Sequence, residues 1–316
     1  MGDISTDLPK ASLHVHLEGA IWPETLLEID PSLTRDQIRA NMPEGSFARF
    51  IQSYIWLTSR LTAPEHYALA TRHLLRRLAA EGVRYAEITL SAGVILWKGQ
   101  NLGPIYDAVW AESQRGPFPV FWIPDAVRQF GAEAAMRVAR FAVERRDCGV
   151  VAFGIGGDEA RGPAEWFDGV YRFCRENGLH RTCHAGETVG PESVRAALAI
   201  GAERIGHGIS AAADPALLAE LRERDIPLEI CPTSNVCTGV VPSLDVHPLR
   251  RLFDAGVPIV LDSDDPALFG TSIGREYEIA AARFGFTEEE LARLATNSFR
   301  YAFRHRERDA GSGGAD

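Results

Sequence analysis

The chain has 316 residues, 46% of them hydrophobic and 24% charged, with a formal net charge of −10. That size suits one large domain with a substantial core. The acidic balance disfavours DNA or RNA as a partner, because phosphate backbones are bound chiefly by basic patches, but it leaves an uncharged small nucleoside open. No apolar run reaches the length needed to cross a bilayer, and residues 1–10 carry no apolar signal core, so no membrane is expected as partner and the expected location is the cytoplasm. The cysteines Cys148, Cys174, Cys183, Cys231 and Cys237 are odd in number and form no Cys-x-x-Cys pair. They read as free thiols in a reducing compartment.

In chain order, strand-like runs cover 12–17, 83–90, 118–123, 149–155, 180–184, 204–206, 227–231 and 258–261. Helical patterns lie between them over 64–81, 132–146, 164–177, 191–200, 215–224 and 248–255, each with apolar residues three and four apart. Gly82, Gly178, Gly201 and Gly256 fall where helices should stop, and Pro64, Pro191 and Pro215 where they should start. Eight strand-helix units without a composition break predict an α/β fold, a single (β/α)8 barrel over 1–309. A doubly wound sheet is the rival, but the turn after Leu17 is Glu18-Gly19-Ala20 and lacks the Gly-x-Gly-x-x-Gly fingerprint. Residues 310–316, small and polar, are expected to form a flexible tail. The long first connection carries Phe47, Phe50, Ile51, Tyr54, Ile55, Leu57 and Leu61. Segment 47–61 reads either as an apolar lid over a site at the barrel mouth or as a helix packed outside the barrel.

Acid, base and ligand residues stand at the ends of these runs. His14 and His16 are two apart on one strand, so both side chains point the same way. A lone His-x-His also arises by chance. His184 ends the fifth strand and Asp264 follows the eighth, and both positions open at the barrel face where such enzymes keep their sites. Three imidazoles and a carboxylate suit one Zn²⁺ per chain. Glu187 follows His184 after a small Ala-Gly turn, close enough to act as proton donor and acceptor. It also fits a helix N-terminal acid stabilised by the dipole. His207 lies between Gly206 and Gly208, glycines that would let a ligand approach; a core histidine satisfied by backbone is the alternative. Gly154-Ile155-Gly156-Gly157-Asp158-Glu159 is a glycine cluster followed by two acids, where bare backbone could hydrogen-bond a planar ring.

The residues Pro9 to Gly19, Gly156-Gly157-Asp158-Glu159, His184-Ala185-Gly186-Glu187, Arg204-Ile205-Gly206-His207-Gly208, Cys231-Pro232-Thr233-Ser234-Asn235 and Ser263-Asp264-Asp265-Pro266 closely resemble the adenosine deaminase family of the amidohydrolase superfamily. The resemblance implies a zinc-dependent hydrolytic deaminase acting on a small purine nucleoside. It implies that His14, His16, His184 and Asp264 bind zinc and that Glu187 protonates ring N1. His207 and Asp264 would hold the attacking oxygen, Asp265 would bond N7, and the Gly157 backbone would bond N3. It is not the deaminase design with a Pro-Cys-x-x-Cys zinc site, since Cys231-Pro232 has the reverse order. Nor is a lysine-derived bridging carbamate available, since Lys10 and Lys98 are the only lysines.

Two positions depart from the family pattern. Relatives acting on adenosine usually carry Asp where this chain has Glu18, and that residue helps hold the sugar 5′-hydroxyl. Glu there is familiar in relatives acting on free adenine, yet those usually have Asp in place of Gly206. The stretch Ser91 to Lys98 is also unlike a typical adenosine deaminase and could shape a pocket for a modified 5′ group, as in 6-amino-6-deoxyfutalosine deaminases. Lys98 could attract a carboxylate there, or be a solvated loop lysine. A metal-dependent amidase or esterase on the same barrel, and a barrel that only binds, are the rivals from other classes.

Overall fold

The computed structural model describes residues 8–43 and 45–304. The expected tail at 310–316 lies outside them, as does His305.

Eight parallel strands run in sequential order around one barrel: β1 (Lys10–His16), β2 (Val83–Leu90), β3 (Val120–Val127), β4 (Ala152–Gly156), β5 (His180–Ala185), β6 (Arg204–His207), β7 (Leu228–Ile230) and β8 (Ile259–Leu261). The (β/α)8 expectation is met. Helices open and stop where the punctuation residues predict. Pro64, Pro191 and Pro215 are first residues of helices, and Gly82, Gly178, Gly201 and Gly256 all take positive φ just past helix ends.

The strand ends differ from expectation most at β3. The sequence reading stops at Ile123, just before Pro124, a residue type uncommon inside strands. The strand continues to Val127, because pairing passes there from β2 (Leu90↔Pro124) to β4 (Asp125↔Gly154). The extension carries Asp125 into the barrel mouth.

The seam between β8 and β1 is closed just past the end of β8. His16 N donates to Asp264 O at 2.9 Å and Asp264 N to His14 O at 3.0 Å. The Asp262 carboxylate accepts from Leu13 N at 2.6 Å, His14 N at 2.9 Å and Ser12 Oγ at 3.1 Å. The opposite end of the barrel is plugged by charge. Arg204, fully buried, pairs with Glu87 and, at 2.5 Å, with Glu229, and lies over the Phe303 ring at 3.9 Å.

The long β1–β2 connection holds helix Phe47–Thr58, which lies over the barrel mouth and not in the outer ring. Phe47, Phe50, Ile51, Tyr54, Ile55 and Thr58 face the cavity, and Phe50 packs on Phe269 with ring centroids 5.2 Å apart. Among the described residues no helix is long and apolar enough to cross a membrane. All five cysteines are free.

Candidate active site

The strand ends at one rim bring together residues from across the sequence. His14 and His16 leave β1 on one face, His184 leaves β5, His207 ends β6, and Asp264 follows β8. His16 Nε2 lies 3.3 Å from His184 Nε2 and 3.4 Å from Asp264 Oδ1, and His14 Nε2 is 3.5 Å from that same oxygen. His14, His184, His207 and Asp264 also each offer one ligand atom within 4.8 Å of the others. The two faces of the Asp264 carboxylate separate the imidazoles. His14 and His16 meet Oδ1, while His207 Nε2 faces Oδ2 and Glu187 Oε2, each at 3.8 Å.

Backbone strain marks the same place. His207 and Asp264 take φ of 61° and 63°, left-handed values uncommon outside glycine. Such residues cost about 1–3 kcal/mol each and persist where the surroundings over-determine them. Gly206 flanks this point for a reason other than ligand approach. A Cβ there would sit 2.8 Å from His14 Cε1, so the missing side chain makes room for the His14 ring.

A second set of groups fixes which ring nitrogens are bare. His14 Nδ1 donates to Glu229 Oε2 at 2.7 Å, and His184 Nδ1 to the Ile155 carbonyl at 3.1 Å. In its neutral form each ring therefore turns an Nε2 lone pair inward. For His207 the order follows from an obligate donor. Leu249 N–H donates to His247 Nδ1 at 3.1 Å, so neutral His247 donates from Nε2 to Asn235 Oδ1, also at 3.1 Å. Asn235 Nδ2 then donates to His207 Nδ1 at 3.1 Å, leaving the proton of neutral His207 on Nε2, which faces Glu187 and Asp264. Ser234 Oγ donates to Asp264 Oδ2 at 2.6 Å. The loop carrying Glu187 is held by Glu159, whose carboxylate accepts from Gly186 N at 2.7 Å, Glu187 N at 2.9 Å and Thr188 N at 2.8 Å.

Burial and neighbours split the charge states. Burial lifts the Glu187 carboxyl well above its ordinary range, and the nearby charges of Asp264 and Glu159 lift it further. Both effects favour the protonated acid. Burial likewise lifts Asp265, aided by Asp264. Burial works against ionised Asp264 too, but the hydrogen bond from His14 and the charge of the imidazoles when protonated outweigh it and hold that carboxylate well below its usual range. Burial lowers His16 and His207 to about 4 and His184 well below its usual value, so these three rings are neutral, whereas at His14 the hydrogen bonds and charges of Asp264 and Glu229 outweigh burial and raise the ring well above its usual value.

This donor set fits a divalent metal. His14 Nε2 is buried with no hydrogen-bond partner among the described residues, and it points at the inward nitrogen lone pairs and an ionised oxygen. Converging lone pairs repel unless a cation lies between them, and imidazoles whose outer N–H is tied to a carboxylate or carbonyl are the usual form of metal-binding histidine.

The cavity above the cluster measures about 640 Å³. His16, Gly157, His184, Glu187, His207, Asp264 and Asp265 line it. Glu18 does not: its carboxylate accepts from Ser91 N at 3.1 Å and from Tyr54 Oη at 3.3 Å, behind those two residues. Lys98 reaches the cavity wall, but its Nζ donates to the carbonyls of Thr58 and Leu61. Sequence reading missed Asp125, Glu159, Glu229, Asn235 and His247. For Glu159 and Asn235 a signal existed, since both stand inside motifs already singled out. Asp125 gave none, because Pro124 masked the strand end that carries it.

The adenosine deaminase family model matches residues 9–311 of the chain. An aminodeoxyfutalosine deaminase of Streptomyces coelicolor is 39% identical over 94% of this chain and 80% of its own length. An adenine deaminase of Agrobacterium fabrum is 34% identical over 95% of each chain. Among solved structures, an adenine deaminase from Arthrobacter aurescens superposes with a TM-score of 0.88 at 27% identity, covering 96% of each chain. The chain therefore belongs to the adenosine deaminase family of the amidohydrolase superfamily, and it is a hydrolytic deaminase.

Proposed function

We propose that the protein is a zinc-dependent deaminase that converts the 6-amino group of a purine nucleoside to a 6-oxo group with release of ammonia. The observation that carries this reading is Glu187, a buried carboxyl in surroundings that favour its protonated form, 3.8 Å from His207 Nε2 at the edge of the imidazole cluster. Hydrolysis of a ring C–N bond needs such a donor, because protonating N1 draws electrons from C6 before attack.

In this reading His14, His16, His184 and Asp264 hold one Zn²⁺. When bound, the ion lowers the pKa of water to about 7 and so supplies a nucleophile at neutral pH. Glu187 gives its proton to N1. His207, donating from Nε2, and Asp264 Oδ2 orient the attacking oxygen toward C6. Asp265, whose Oδ1 has no hydrogen-bond partner among the described residues, bonds the N7 edge, and the Gly157 backbone N–H bonds N3. A proton passes to the exocyclic nitrogen, the C6–N bond breaks and ammonia leaves.

A second reading of the substrate is favoured by the outer half of the cavity. Trp97 and Phe130 stack there with centroids 5.6 Å apart, and the Arg161 side chain is exposed at the rim. A nucleoside with a flat, acidic 5′ extension fits these walls, as in the aminodeoxyfutalosine named for the Streptomyces relative. Free adenine, named for the Agrobacterium relative, is the third candidate. Ammonia release from adenosine, aminodeoxyfutalosine and adenine, followed by ultraviolet absorbance, ranks them. Turnover of none of the three would end the proposal.

A further inference from the structure

Asp125 has no part in the mechanism above, yet its setting is that of a ligand-binding group. It leaves the end of β3 into the cavity and is 5% exposed, and its Oδ1 is buried with no hydrogen-bond partner among the described residues. The neighbouring strand is cut away to admit it. A Cβ at Gly154 would lie 2.7 Å from Asp125 Oδ1, and one at Gly156 3.2 Å from Oδ2. Arg128 is the nearest cation in the chain, but its guanidinium donates to the carbonyls of Gly162 and His184. Buried acceptors are nearly always satisfied, and Asp125 lines the cavity, so its carboxyl is placed to meet a donor that arrives with the ligand.

The position in the barrel says which part of the ligand that is. Glu187, His207 and Asp264 follow β5, β6 and β8, whereas β3 is three strands away from both β6 and β8 around the ring. With N1 and C6 of a purine turned to Glu187 and His207, N3 to Gly157 after β4 and N7 to Asp265 after β8, N9 and its substituent point toward the arc from β1 to β3. The cavity, about 640 Å³, falls in the range of ligands much larger than a bare purine.

We infer that Asp125 is a specificity residue that accepts a hydrogen bond from a sugar hydroxyl of the substrate, so that the site selects nucleosides over free bases. The inference rests on the deaminase reading and adds to it the group that recognises the sugar. Neutral hydroxyls fit better than a cation here. Burial pushes the Asp125 pKa up to about 8, an environment that suits an uncharged donor.

The test is steady-state deamination by the zinc-loaded protein of adenosine, its 2′-, 3′- and 5′-deoxy analogues, and adenine. Wild type, Asp125→Asn and Asp125→Ala are compared, with metal content and melting midpoint measured alongside. Asp125→Ala is expected to lower kcat/KM for adenosine by about 100-fold and for one deoxynucleoside by less than about threefold, the analogue that lacks the partner hydroxyl. Asp125→Asn, which keeps an acceptor, is expected to recover part of the loss. An equal loss on all nucleosides and on adenine, or no loss, overturns the inference. Should the variants not fold, wild type alone decides, since it must disfavour one deoxynucleoside by at least about tenfold. A wild type that prefers adenine overturns the sugar role and leaves the deaminase reading standing. A wild type that releases ammonia from none of these substrates overturns both.

Discussion

At the scale of single residues, the site is a set of protonation states fixed by burial and by a few obligate donors. Glu187 is the sharpest case. Replacing it with Gln keeps the shape and removes the transferable proton. Turnover should fall by about 10²- to 10⁴-fold with metal content unchanged, read by kinetics and elemental analysis on one preparation. Near-normal turnover would remove Glu187 from the mechanism. The relay Leu249–His247–Asn235–His207 makes a second prediction. His247→Ala frees Asn235 to turn and His207 to change tautomer. It should lower kcat more than it raises KM, and nitrogen NMR of His207 should show the proton shared between both ring atoms. Unchanged kcat and a single tautomer would show that the relay orients nothing. Gly206→Ala tests a steric point. Its Cβ would meet His14 Cε1 at 2.8 Å, so zinc affinity should fall at least about tenfold in a folded protein. The motif residues that meet at the rim were legible in the sequence because each stands at a strand end. Those that hold them were not. Glu229 and His247 sit in ordinary-looking segments and gain meaning only when folding puts them behind His14 and Asn235.

At the scale of elements, propensity and punctuation named the helices well, since proline and glycine act locally. They failed where an element serves the tertiary structure. Pro124 argues against a strand, yet β3 runs through it because the pairing partner changes there. Helix Phe47–Thr58 is apolar on the face that looks into the cavity, and periodicity alone cannot tell that face from one packed on a barrel wall. The last long helix, Glu288–Arg300, shows how a charge joins two elements. Thr287 and Glu290 form a capping box at its start, and Arg250 from helix Leu249–Asp254 reaches the same carboxylate at 2.8 Å. The Arg250 hydrogen bond, with the Thr287 backbone N–H, lowers the Glu290 pKa from 4.5 to about 2. A carboxyl depressed in this way stabilises the fold above its unfolded pKa and loses that effect as pH falls toward the folded value. Thermal melts at about pH 5 and about pH 3 should therefore show a smaller drop in midpoint for Glu290→Gln than for wild type. Equal drops would mean that the pair is screened out.

At the scale of the whole molecule, the barrel is held at two levels. One end is closed by the buried set Arg204, Glu87 and Glu229, and Arg204 also donates to the carbonyls of Leu13 and Tyr301. Removing the cation strands two carboxylates in the core. Arg204→Met should cost about 3–5 kcal/mol in urea unfolding. Because Glu229 also holds His14, the same variant should retain zinc less well in dialysis. A variant as stable as wild type would mean that the acids simply take up protons. The barrel itself was readable from eight alternating units. The outer wall of the cavity was not, because its residues come from β3 and the first long connection, where spacing carries no signature.

The seam between β1 and β8 ties these levels together. Asp264 knits the first strand to the last through two backbone bonds and lends its carboxylate to the imidazoles beside it. Synthesis must therefore proceed through residue 264 before this closure can form. A fragment that stops short of it is expected to lack both this closure and the carboxylate that the imidazoles share.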